Sequence, residues 1–114
     1  MKAMSADDIQ PAAQAQGRLP RDLPFRRNPA LEIHRIKWSL LLVDPATGAT
    51  RLLDPLAAGV WYLLKDPTTL AEAITTLRQM VPDQDRARVN AEIEQLFREL
   101  RAANMILPEH RMAG

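Results

Sequence analysis

The chain has no cysteine, only five aromatic residues (two Trp, one Tyr, two Phe) and four glycines in 114 residues. Without cysteine there is no disulfide framework, no thiolate zinc site and no thiol nucleophile, the usual condition of a cytosolic protein. No apolar run reaches the ~18 residues of a membrane-spanning helix, and Met1 to Gln16 has no basic segment leading into an apolar stretch, so nothing reads as a secretory signal. A dominant charge is missing too. The balance of 15 Lys+Arg against 14 Asp+Glu leaves +1, too little to draw the chain toward nucleic acid or an anionic membrane. Gly48 and Gly59 stand alone, so no phosphate-cradling loop is present, and neither serine (Ser5, Ser39) lies in a Gly-x-Ser-x-Gly turn. His34 and His110 are the sole imidazoles and belong to no metal-ligand spacing. The expectation is a cytoplasmic chain with one small core, no catalytic residues, no metal, no cofactor and no membrane contact.

Residues 1–30 carry Pro11, Pro20, Pro24 and Pro29 without a sustained period and read as a disordered arm. From Arg18 to Lys37 six basic residues (Arg18, Arg21, Arg26, Arg27, Arg35, Lys37) face two acidic ones (Asp22, Glu32). This is either a solvated tail or a contact for an acidic partner. Leu31-Glu32-Ile33-His34 alternates as a strand with one buried face, which puts His34 on the polar face as a surface residue. Leu40 to Val43 reads as a strand covered on both faces. Asp44-Pro45-Ala46-Thr47-Gly48 supplies a turn, and Ala49 to Leu53 is the return strand. Between Ile33 and Leu40 there is no Gly, Asn or Asp, so either Arg35 to Ser39 turns tightly or the first strand is displaced. Trp38 and Trp61 are read as core residues.

Asp54-Pro55 starts a helix with Leu56, Val60, Leu63 and Leu64 on one face, ended by Asp66-Pro67. Thr69 and Glu72 form a capping box ahead of Leu70, Ile74 and Leu77, and Val81-Pro82 stops that helix. The third helix, capped by Asp83 or Asp85, carries Val89, Ile93, Leu96, Phe97 and Leu100 at helical spacing and closes near Asn104. Met105-Ile106-Leu107 then folds back on the core, and residues 108–114 form a loose tail. The predicted fold is α+β: a three-stranded antiparallel sheet followed by three helices, resembling a winged helix-turn-helix, over residues 31–107.

A helix-turn-helix suggests DNA, but the would-be recognition helix is neutral. Between Asp85 and Ala103 four basic residues (Arg86, Arg88, Arg98, Arg101) meet four acidic ones (Asp85, Glu92, Glu94, Glu99), which weakens phosphate binding. The carboxylates among these arginines read as a solvated face rather than as an acid–base pair. What remains is peptide recognition by strand addition to a free sheet edge at Ala49 to Leu53, with the third helix as the other wall. Such an edge can also pair with a second copy of the chain. Arg51, Arg86 or Arg101 would meet acidic peptide residues, and Leu52, Val89, Ile93 and Phe97 would form apolar pockets, with most of these apolar side chains shared with the core.

The run Leu42-Val43-Asp44-Pro45-Ala46-Thr47-Gly48-Ala49-Thr50-Arg51-Leu52-Leu53-Asp54-Pro55-Leu56-Ala57-Ala58 resembles the segment of PqqD-like proteins in which a strand pair enters a helix through a Leu-Asn/Asp-x-x-Ala pattern. The likeness continues through Val60 to Leu64, Thr68 to Glu72 and Leu96 to Ile106. It implies a non-catalytic recognition element of peptide natural-product maturation, a peptide chaperone that binds the leader of a ribosomally made precursor peptide and presents it to a modifying enzyme such as a radical SAM enzyme or a cyclase. On this chain it implies a groove made by Thr50, Arg51, Leu52 and Leu53 with Arg86, Val89, Asn90, Ile93 and Phe97. The wording around Asp44 to Ala58 is also similar to a branch associated with HPr-kinase-like proteins, which implies another protein partner. A winged-helix DNA-binding regulator is the reading from a different class.

Overall fold

The computed structural model describes residues 19–109. A three-stranded antiparallel sheet is formed by β2 (Glu32–Ile36), β3 (Ser39–Val43) and β4 (Thr50–Leu53) in the order β2-β3-β4. Three helices follow: α1 (Pro55–Leu63), α2 (Leu70–Arg78) and α3 (Arg86–Ala102). A second, two-stranded sheet pairs β1 (Phe25–Arg27) with β5 (Ile106–Pro108).

The β1–β5 pair corrects the arm and tail boundaries expected from sequence. Residues 1–18 and 110–114 lie outside the described residues, but Leu19 and Leu23 already pack on the core and Phe25 is 1% exposed. Phe25 exchanges both backbone bonds with Thr68 at 2.9 Å and meets Phe97 edge-on, with ring centroids 6.0 Å apart. Three residues between two prolines carry no local period, and their partner strand lies far along the chain. Pairing of this kind is invisible to a short sequence window. Two of the arm's cations also serve the fold. Arg26 pairs with Glu109 at 3.1 Å, and Arg27 donates to the carbonyl of Trp61 at 2.7 and 3.0 Å from the end of α1. With no basic residue in its own last turn, α1 takes from β1 the cation that its carbonyl end favours.

The β2–β3 hairpin closes through two residues, Lys37 and Trp38, with Ile36 opposite Ser39 and Lys37 at φ 56°. The tight turn is therefore the one of the two alternatives adopted. Two expectations fail here. Every residue of β2 is exposed because it is an outer strand, and β3 is covered on one face only, with Leu42 buried while Leu41 and Val43 lie on the open face. Trp38 is 82% exposed rather than core, whereas Trp61 is buried. His34 is exposed beside Glu32, 3.6 Å away.

The helix starts follow their capping chemistry. Asp54 accepts from the Ala57 N–H at 2.9 Å with Pro55 at the first helical position, and the Thr69–Glu72 box is formed in both directions. Asp85 stands at the N-cap of α3, but its side chain makes no capping hydrogen bond. A single 3₁₀ turn, Asp83–Asp85, leads into it, closed by the Asp85 N–H on the Pro82 carbonyl at 3.0 Å. At the other end Asn104 takes φ 59°, and the Met105 N–H reaches the Leu100 carbonyl at 2.8 Å, the double-bonded helix stop that usually employs glycine. The core is the stack of Val89, Ile93, Phe97 and Leu100 on α3 against Leu70, Ile74, Val60, Trp61, Leu42 and Leu53.

Candidate functional site

β4 is the other outer strand of the sheet, and its free side can be read from the ladder. The Asp44 N–H donates to the Ala49 carbonyl at 2.8 Å, with Gly48 at φ 78° relaxing the turn. In an antiparallel register bonded pairs recur every second residue, so Leu42 with Arg51 and Leu40 with Leu53 are bonded pairs. Arg51 and Leu53 thus turn their N–H and C=O groups toward β3. Thr50 and Leu52 turn theirs outward, where a further strand would meet them.

Side chains alternate in the same way. Leu53 enters the core and Arg51 lies toward α3, whereas Leu52 is on the open face at 61% exposure. Between β4, α1 and α3 runs a groove of about 520 Å³. Leu56, Ala57 and Val60 of α1 and Ala91, Ile93 and Leu96 of α3 give it an apolar lining. Its charges come from Arg51, Asp54, Arg88, Glu92, Arg98 and Glu99. Five of the six are paired: Arg51 bridges from the strand to Glu99 on the helix, Arg88 meets Glu92 at 2.9 Å, and Arg98 meets Glu94, outside the lining, at 3.2 Å. The Gln95 amide, donating at 2.8 Å, holds the Glu99 carboxyl below its usual pKa, aided by Arg51 and opposed by burial. The groove is thus an apolar trough beside unpaired main chain, rimmed by charges of both signs that can exchange partners.

Of the residues singled out from sequence, Thr50, Arg51 and Leu52 stand at this edge, and Ile93 lies in the groove wall although its side chain is buried. Leu53, Val89 and Phe97 are core residues that offer no pocket. Arg86 pairs with Asp83 at 2.9 Å, Asn90 has a buried Oδ1 with no partner among the described residues, and Arg101 bonds the Asn104 side chain at 3.3 Å. None of these three lines the groove. The groove takes the opposite flank of α3, at positions 88, 91, 92, 95, 98 and 99. That flank repeats with helical spacing in the sequence, but only the packing tells which flank borders β4. No group of three or more His, Asp or Glu among the described residues is placed to hold a metal, and no helix among them is long and apolar enough to cross a membrane.

Residues 39–106 match the family model of PqqD, coenzyme PQQ synthesis protein D. The chain belongs to the PqqD family. The match runs from β3 to the start of β5 and so contains the free strand, α1 and both walls of the groove. Among solved structures this PqqD-family chain is similar to "TbiB1 in Complex with the TbiA(beta) Leader Peptide", with a TM-score of 0.61 and 19% identity over 77% of this chain and 99% of that one, which shows a shared fold. No curated protein matches the sequence.

Proposed function

We propose that this PqqD-family protein is a peptide-binding partner in ribosomal peptide maturation: it takes the leader of a precursor peptide as an added strand on β4 and presents it, without chemistry of its own, to a modifying enzyme in the cytoplasm. The observation that carries this reading is the outward-turned main chain of Thr50 and Leu52 beside the apolar trough on α3. Main-chain bonds to an edge supply affinity, and alternate side chains entering a groove supply specificity. Ile93 and Leu56 would receive an apolar leader residue, and Arg51 an acidic one in exchange for Glu99. The structural neighbour is a leader-peptide complex, which supports the same mode.

The test is an amide titration of the ¹⁵N-labelled chain with peptides encoded near its gene, beside a duplex DNA control. Shifts are expected at Thr50 to Leu52 and along Arg88 to Glu99. Leu52→Pro deletes an outward N–H and leaves the β3 ladder intact, so the fold is kept while affinity falls about tenfold or more. Unchanged affinity in a folded Leu52→Pro variant would refute strand addition. A spectrum moved only by DNA would favour the regulator reading.

A further inference from the structure

Both tryptophans and the single tyrosine of the chain line one small pocket on the other side of α1. It holds about 210 Å³ between α1 and the inner side of the β2–β3 hairpin, and no residue lining it lines the β4–α3 groove. Trp38 (82% exposed) and Tyr62 (60% exposed) stand in solvent, and Ile33 and Leu40 line the sheet side. Exposed Trp and Tyr with Arg beside them is the composition of interface centres rather than of ordinary surface.

The charge of the pocket is one-sided. Arg27 and Arg35 line it, and no Asp or Glu does; Asp66 acts on Arg27 electrostatically without being part of the lining. Arg27 is held against the Trp61 carbonyl with its guanidinium 5.1 Å from the Trp61 ring centre. Arg35 makes no hydrogen bond or ion pair among the described residues. Trp61, itself 2% exposed, forms the floor of the pocket, and its buried Nε1 has no hydrogen-bond partner among the described residues.

We infer that this pocket docks an acidic segment of a partner protein in which a carboxylate stands beside an aromatic or aliphatic side chain. The apolar side chain enters between Trp38 and Tyr62, and the carboxylate meets Arg35. Nucleic acid fits less well, because two guanidinium groups neutralise too few phosphates to hold it. Resting on the reading above for the partner's identity, the inference assigns this side to the modifying enzyme. A precursor peptide on β4 and an enzyme loop at the hairpin can then be held together.

The experiment uses the ¹⁵N-labelled full chain and a blocked tripeptide, Ac-Glu-Phe-Glu-NH₂, with Ac-Gln-Phe-Gln-NH₂ and a single-stranded oligonucleotide as comparisons. The acidic tripeptide should move the exposed Trp38 indole Nε1–H resonance and the amides of Ile33, Arg35 and Ala58. Arg35→Glu, at an exposed position, should weaken this response about tenfold, and Trp38→Ala should weaken it as well. An equal response to the neutral tripeptide, a response to the oligonucleotide alone, shifts confined to Thr50 to Leu52, or silence would each overturn the inference. Because Thr50 and Leu52 are read in the same spectrum, failure of the groove leaves the pocket's own result intact.

Discussion

Lys37 holds a left-handed conformation, φ 56°, in a two-residue turn, and a β-carbon there costs about 1–2 kcal/mol that glycine avoids. Glycine also gains about 0.5–1 kcal/mol of freedom in the unfolded chain. Lys37→Gly is therefore expected to stabilise the protein by about 0.5–1 kcal/mol, read as a higher urea midpoint with an unchanged slope. A midpoint that stays or falls would show that the turn is unstrained. The same residue explains why the hairpin was hard to read. Turn chemistry is carried by Gly, Asn, Asp and Pro, and a Lys-Trp turn offers none of these, while the flanking Ile33 and Ile36 suggest burial that an outer strand does not provide. Trp38 shows the limit of residue type as a guide, since a large apolar ring reads as core until its neighbours are known.

The helices were legible because each carries its own start signal and stripe. Asp54, Thr69 with Glu72, and the Val89 to Leu100 spacing all act within one element. The groove was legible only in half. The strand edge followed from the turn at Gly48, but the flank of α3 that faces it depends on how two elements pack. Arg51 and Glu99 join those elements, and both side chains are more than a third exposed, so the pair contributes at most about 1 kcal/mol. Glu99 has a lowered pKa when folded. Its contribution is present above the ordinary carboxylate value and is lost as pH falls through the lower, folded value. Glu99→Gln should thus melt slightly below the native protein at pH 7, by a difference that shrinks as the pH falls through the lowered, folded value. It should also free Arg51 and tighten an acidic peptide up to about fivefold. Weaker binding by the variant would mean that Glu99 itself receives the peptide.

For the molecule as a whole, the three-stranded sheet and three helices could be anticipated in order, while the second sheet could not. Its two strands are three residues each and come from opposite ends of the described residues. Phe25 nevertheless sits against Phe97 at the centre of the core. Phe25→Ala is expected to cost about 3–5 kcal/mol, a large part of the ~5–15 kcal/mol that holds a small domain together. A thermal melt by circular dichroism measures it. A variant that melts with the native protein would show that β1 merely decorates the fold. The β1–β5 pair also brings the Glu109 N–H onto the Pro24 carbonyl at 2.8 Å. Pro24 and Glu109 therefore stand side by side, like the stem of a loop. A short linker between these two residues would close the chain into a ring at the cost of the packing of Leu19 and Leu23, and the ring could be reopened between Asp44 and Gly48 without severing any strand or helix.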